Sequence, residues 1–248
     1  MAYGIPIKRI ASGSAMLNVG CGAVTHPQWN NVDFSPYALM AKHPQVANLL
    51  RKLHLISDLR WERLMGVDTA IVRWDLRRGI PYPESSFDVV YHSHFLEHLS
   101  RRDAIEFLKE CRRVLKLGGV LRIAVPDLAL LVRQYCESMR DTTEHGRAIE
   151  ALFEQIVRDQ AMGPNEQRGP ARILEKLVRG TPEKTGERHL WMYDSISLKE
   201  LLTNLGFANC RIESAVTSII PGWGEFHLDA NGDGIPRKLE SLYMEAVR

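Results

Sequence analysis

Residues 15–22 read Ala15-Met-Leu-Asn-Val-Gly-Cys-Gly22, a short apolar run that stops at a glycine turn. Apolar runs of this length bounded by glycine are the mark of a buried strand. The same event recurs downstream. Asn31-Val-Asp-Phe34 is a second short strand, Thr69-Ala-Ile-Val-Arg-Trp74 a third that ends at Asp75, Phe87-Asp-Val-Val-Tyr91 a fourth, and Val120-Leu-Arg-Ile-Ala-Val125 a fifth that Pro126 stops. Helical patterns lie between them. Leu49, Leu50, Leu53 and Ile56 recur at helical spacing within residues 37–65. Ser100 can cap a stronger helix, with Asp103 three residues on. Its apolar side is Ile105, Leu108, Cys111, Val114 and Leu115, and Gly118-Gly119 is read as its end. Strands alternating with helices imply a parallel sheet covered on both faces.

The remainder of the chain divides in two. From Asp127 to about residue 186 the pattern is helical, with one stripe at Ile149, Leu152, Phe153, Ile156 and Val157 and another at Ile173, Leu174, Leu177 and Val178. The loop 163–170 separates them, and the segment reads as a helical cap at 128–188. Alternation then resumes, with a helix from Ser197 to Leu205, a strand from Ala208 to Glu213 and a last strand from Ser241 to Val247. The long polar connection before the last strand permits an antiparallel pair.

At 248 residues the chain is one large domain or two small ones, taking about 150 residues per domain. The 32 Lys+Arg against 30 Asp+Glu leave a formal charge of +2, which argues against a nucleic-acid binder with a basic stripe. Cys21, Cys111, Cys136 and Cys210 are far apart and show neither a C-x-x-C pair nor zinc spacing. No window approaches the roughly 20 apolar residues of a membrane span, and no signal core follows Lys8 and Arg9. A soluble, cytoplasmic protein is expected.

Ligands of open parallel sheets bind beyond the C-terminal strand ends. After the first strand stands Gly20-Cys21-Gly22, where missing β-carbons let backbone amides approach a ligand. Asp33 ends the second strand, where a carboxylate can accept from both hydroxyls of a ribose. Asp75 ends the third, where an acid can accept from an adenine amine. The three together describe a nucleoside pocket. A dinucleotide fits less well, because the third position of G-x-G-x-x-G/A is Thr25, which would crowd a pyrophosphate.

These residues, with Val32-Asp33, Trp74-Asp75-Leu76, the block from Phe87 to His98 and the block from Phe107 to Pro126, resemble the class I S-adenosylmethionine-dependent methyltransferases, specifically the type 11 small-molecule group. The resemblance covers about residues 15–127. It implies a doubly wound, seven-stranded, mostly parallel Rossmann-like α/β sheet with an antiparallel last strand, in one domain over 1–248. It also implies S-adenosylmethionine as cofactor. Gly20, Cys21 and Gly22 would border its methionine part, Asp33 would hold the ribose, Asp75 and Leu76 the adenine, and Ser93 and His94 would lie beside the sulfonium. Asn18 stands where the family usually has an acid, so it can hydrogen-bond but brings no charge to the cofactor's ammonium. The ending Pro236 to Val247 is similar to bacterial type 11 members associated with surface polysaccharides, which points to a small-molecule, sugar or glycan acceptor methylated at oxygen.

An oxygen nucleophile needs a base as well as alignment. His94, His98 and Asp127 are the candidates by position. Glu97 between the histidines reads as an acid at a helix start, with a metal site at Glu97 and His98 as the lesser alternative, and no metal ligands are assigned. His189, Trp191 and Tyr193 form a candidate acceptor-facing segment, or else pack the cap onto the sheet. Two other readings stand beside the enzyme. One is a non-catalytic cofactor-binding partner protein. The other is a calcium-binding protein, because Asp229-Ala-Asn231-Gly-Asp233-Gly234 with Glu240 satisfies D-x-[DN]-x-[DN]-G-x5-E. The flanks of that loop disfavour calcium, with Pro236 inside it and a strand after it.

Overall fold

Strand β1 (Met16–Val19) has all four residues buried and stands near the middle of a seven-stranded sheet. The computed structural model describes residues 4–34, 42–53, 56, 58, 61, 65, 70–156 and 188–248. On one side β1 pairs in parallel with β2 (Asn30–Asp33), which pairs with the two-residue β3 (Val72–Arg73). On the other side it pairs in parallel with β4 (Phe87–Ser93), and β4 with β5 (Leu115–Pro126). The sheet closes with β7 (Ser241–Val247) antiparallel to both β5 and β6 (Ala208–Glu213). The order is β3-β2-β1-β4-β5-β7-β6, so the connections run outward in opposite directions from β1 and β4. The cleft where they diverge is the place such a sheet offers a ligand. The expected fold class and antiparallel last strand are both present.

Local chemistry accounts for the helices. Helix α1 (Pro44–Lys52) begins with proline in its first turn, where no backbone donor is lost. Helix α2 (Arg101–Val114) starts at Ser100, whose hydroxyl accepts from the Asp103 amide at 3.1 Å, as expected. It buries Ala104, Phe107, Leu108, Cys111 and Val114 against the sheet, where each large apolar side chain contributes about 1.5–3 kcal/mol. Its end is not where the glycine pair suggests. The helix stops at Val114, and Gly118-Gly119 lies inside β5. Between Phe87↔Leu115 and Val89↔Val120, β5 advances five residues while β4 advances two, and the excess forms an excursion. It is held by the Gly118 amide on the Arg248 carbonyl (3.0 Å) and the Arg248 amide on the Gly119 carbonyl (2.9 Å).

Beyond β5 come α3 (Leu128–Glu137), a 3-10 turn (Ser138–Arg140) and α4 (Thr142–Ile156). They fall within residues 128–188, where a helical cap is expected. The second stripe (Ile173, Leu174, Leu177, Val178) and the loop 163–170 lie outside the described residues. Helix α5 (Ser195–Asn204) opens two residues earlier than expected. Asp194 caps it through the Ile196 and Ser197 amides, and Ser197 returns a bond to the Asp194 amide. Among the described residues no helix is long and apolar enough to cross a membrane.

A charged cluster lies fully buried beside β5 and β7. Arg122 donates to Asp229 (Nε to Oδ2, 2.8 Å) and to Glu245 (Nη1 to Oε1, 2.7 Å), and to the carbonyls of Thr217 and Ser214. The Tyr91 hydroxyl donates to the second Asp229 oxygen at 2.6 Å, and the Ile219 amide to the second Glu245 oxygen at 3.0 Å. The guanidinium also stands 4.2 Å from the centre of the Trp223 ring. This arrangement overturns the calcium reading. The first oxygen ligand of that loop would be Asp229, and both its oxygens face Arg122 and Tyr91. Asn231 Oδ1 accepts from the Asp233 and Ile235 amides, so the loop is a self-bonded turn.

Candidate functional site

The turn after β1 carries Gly20 at φ +65° and Gly22 at φ +54°, conformations that side chains rarely adopt. The Gly20 amide donates to the Val32 carbonyl at 2.9 Å, and the Gly22 amide to Asp33 Oδ2 at 2.8 Å. The Asp33 carboxylate at the end of β2 therefore faces the glycine turn. A β-carbon on Gly22 would meet nothing within 4 Å, so open space adjoins the turn there. A β-carbon on Gly20 would stand 2.5 Å from the Phe95 ring. Cys21 is buried between the two glycines.

Asn18 is buried beneath this turn. Its amide donates to the Val24 carbonyl (2.9 Å) and to Asn31 Oδ1 (3.2 Å), so it ties the turn to β2. Asp75 caps the 3-10 turn Leu76–Arg78 and pairs with Arg77 through both oxygens, at 2.9 and 2.8 Å. The hydrogen bond from Arg77 holds its carboxyl below the usual carboxylate range, against a smaller effect of burial. Leu76 packs into the main core.

The segment after β4 holds the most unusual chemistry. Ser93 ends the strand, and His94 follows with φ 50°, a left-handed backbone that costs a non-glycine residue about 1–2 kcal/mol. His94 Nδ1 lies 3.1 Å from Glu97 Oε1, and Nε2 lies 3.0 Å from the Ser241 hydroxyl. Glu97 sits in the 3-10 turn Leu96–His98 and is fully buried. Burial alone would raise its carboxyl, but the hydrogen bond and charge of His94, with the charge of His98, outweigh that and bring it down to about 2. The carboxylate is thus an acceptor, and His94 Nδ1 must be the donor. The turn expected to open a helix is instead a separate 3-10 element before α2.

Three further residues converge on the same turn. His98 Nδ1 is 2.9 Å from the Arg188 carbonyl. His189 is buried, bonds the Gln155 carbonyl through Nδ1, and brings Nε2 to 3.9 Å from Glu97 Oε1. The Leu190 and Trp191 amides both donate to the Glu97 carbonyl, at 2.7 and 3.2 Å. The start of the 189–194 segment therefore docks on the turn. Trp191 is partly exposed, with the Arg101 guanidinium 4.6 Å from its ring centre.

Two expected site residues have other partners. Asp127 Oδ1 caps α3 by accepting from the Ala129 and Leu130 amides, at 3.0 and 3.3 Å. Its backbone pairs with Tyr193, which is buried in the main core with its hydroxyl pushed up to about 12 by burial. Both read as supports of the 189–194 segment. Glu97 and Ser241 are the residues that sequence reasoning did not assign. The i,i+3 spacing of His94 and Glu97 was the available signal for the first; nothing local marks Ser241.

A protein-family model described as "Methyltransferase domain" matches residues 17–123. A probable S-adenosylmethionine-dependent methyltransferase of Mycolicibacterium smegmatis is 41% identical over 87 residues, covering 29% of this chain and 33% of that protein. A probable methyltransferase of Aspergillus luteorubrus, ltbC, is 32% identical over 111 residues, covering 43% of this chain and 38% of that protein. The chain thus spans about a third of the length of the curated relatives it matches. Among solved structures, a possible histamine N-methyltransferase of Thermotoga maritima aligns with a TM-score of 0.44 and 16% identity, over 98% of this chain and 84% of that one. Residues 17–123, less than half of the chain, thus match a methyltransferase domain, and one of the similar proteins is named as S-adenosylmethionine-dependent. The glycine turn, its adjoining open space and the Asp33 carboxylate fit that cofactor.

Proposed function

We propose that the chain transfers a methyl group from S-adenosylmethionine to an oxygen of a small-molecule or sugar acceptor. The observation that carries this reading is the closeness of the 20–22 turn to Phe95, whose ring would stand 2.5 Å from a β-carbon on Gly20, so a cofactor held at that turn would adjoin the His94–Glu97 pair. Gly20, Cys21 and Gly22 would line the methionine part, Asp33 the ribose, Asp75 and Leu76 the adenine, and Ser93 the reacting end. Asn18 would act by shaping the turn. Helices α3 and α4 belong to a cap over 128–188 that, with His189 and Trp191, bounds the acceptor side.

When bound, the cofactor supplies a methyl group on a sulfonium, already a good leaving group. The chain contributes alignment, exclusion of water and proton handling. Glu97 takes the Nδ1–H of His94, which fixes the tautomer and leaves a lone pair on Nε2. In the structure that nitrogen faces the Ser241 hydroxyl. An acceptor hydroxyl in the same place would deliver its proton to Nε2, and Glu97 would stabilise the imidazolium that results. A sugar or nucleotide-sugar of surface-polysaccharide synthesis, methylated in the cytoplasm, is the acceptor class we favour. Its support is the resemblance of the chain's ending and the near-neutral charge.

The test is methyl transfer from labelled S-adenosylmethionine to a panel of nucleotide sugars and oligosaccharides. Product from at least one of them, lost in His94→Ala, is expected. Saturable cofactor binding with no product from any acceptor would leave a cofactor-binding partner protein instead.

A further inference from the structure

We infer that Glu97, His98 and His189 form a binding site for a divalent transition-metal cation on the acceptor side of the cleft. One ligand atom from each lies within 4.8 Å of the other two, a spacing that a single ion can bridge. The two rings meet edge to face with centroids 4.7 Å apart. Each histidine has its Nδ1 on a backbone carbonyl, His98 on Arg188 and His189 on Gln155. A carbonyl only accepts, so both Nδ1 atoms carry hydrogen, and in the neutral rings Nε2 is the nitrogen that can ligate. Metal-binding histidines are oriented in this way, with the second nitrogen donating to a carbonyl or carboxylate.

The carboxylate supplies the independent observation. Glu97 Oε1 receives His94, whereas Oε2 is buried and has no hydrogen-bond partner among the described residues. A buried carboxyl oxygen without a partner is costly and calls for a cation or a donor that the described residues do not provide. Two imidazole nitrogens and one carboxylate oxygen select zinc, manganese, cobalt or iron(II) over calcium or magnesium. Three protein ligands leave coordination positions open, as in sites that bind a reactant. The inference departs from the sequence reading, which assigned no metal, because His189 reaches the site only through the fold. If the proposed methyl transfer holds, an acceptor oxygen would take an open position and be polarised there.

The binding itself does not depend on that reading, so the test uses the metal alone. The full chain is stripped with a chelator and titrated with cobalt(II) and zinc, followed by calorimetry and the cobalt visible spectrum, without cofactor or acceptor. One equivalent of cobalt with a ligand-field spectrum is expected, displaced by zinc. His98→Gln and His189→Ala should each weaken binding by more than the roughly 10–100-fold typical of losing a residue that only orients a ligand. His98 is only partly buried, so His98→Gln should keep the metal-free melting temperature and report on binding alone. Absence of stoichiometric binding, or unchanged affinity in a folded His98→Gln protein, would overturn the site. Binding without methyl transfer would leave it standing while the proposed function fails.

Discussion

Two buried charge clusters adjoin β4, and they are built on opposite principles. Around Arg122 both oxygens of Asp229 and both of Glu245 have donors, and the guanidinium is bonded at Nε, Nη1 and Nη2. Around Glu97 one oxygen has His94 and the other has no partner among the described residues. The two are equally deep, since Arg122, Glu245 and Glu97 are all fully buried. A saturated cluster has nothing left to offer a ligand and serves to fix β5, β7 and the 214–229 connection in one arrangement. An unsaturated cluster at the same depth is a place for chemistry.

The largest effect should come from opening the saturated cluster. Arg122→Met leaves Asp229 and Glu245 as buried charges without a counter-ion, which costs about 3–5 kcal/mol. Burial already pushes the Asp229 carboxyl up, and the pull of Arg122 is the main force opposing it. Denaturant unfolding should show the loss. Replacing Arg122, Asp229 and Glu245 together by apolar residues should recover much of it, because no charge is then stranded. A loss below about 1 kcal/mol in the single variant would mean the cluster is not saturated in solution, and the contrast with Glu97 would collapse.

The features legible in the sequence are those with nearby causes. Ser100 with Asp103, the glycine turn at 20–22 and the apolar strand at 120–125 each carry their reason within a few residues. Features with distant causes were read wrongly or left open. Gly118-Gly119 looks like a helix end, yet its partner is Arg248 at the other end of the chain. Asp229 fits a calcium pattern locally, while Tyr91 and Arg122, from two different strands, decide what it does. Asp127 is the exception, since the amides that claim its carboxylate, Ala129 and Leu130, are near in sequence. Glu97 gains its importance from His189, which no spacing rule connects to it.

The unsaturated side should also be the more sensitive to acid. His92 is fully buried against Phe95 and Phe107, with neither ring nitrogen hydrogen-bonded among the described residues. Burial, with a smaller push from His94 and against the pull of Glu97, lowers it from 6.5 to about 4. The folded protein keeps the ring neutral, whereas the unfolded chain protonates it below about pH 6.5. Stability from this residue is therefore complete above pH 6.5 and is lost as the pH falls towards 4, by about 3 kcal/mol in all. His92→Phe removes the charge change, so the difference in stability between variant and parent should grow in its favour across that window. A constant difference from pH 7 to pH 4.5 would show that the ring is reached by water or a donor in solution.

The smallest effect marks where burial stops mattering. Lys116 Nζ lies 2.8 Å from each oxygen of Asp88, as close as the contacts in the Arg122 cluster, but about a third of each side chain faces solvent. Water can replace either partner, so Lys116→Ala should cost only about 0.2–1 kcal/mol and less in high salt. Asp88→Ala should cost more than Lys116→Ala, because Asp88 Oδ2 also accepts from the Ala15 amide at 2.7 Å, just ahead of β1. The excess is then the worth of that backbone bond and should resist salt. Equal costs that vanish together in salt would assign the whole interaction to the ion pair and leave the backbone bond no share.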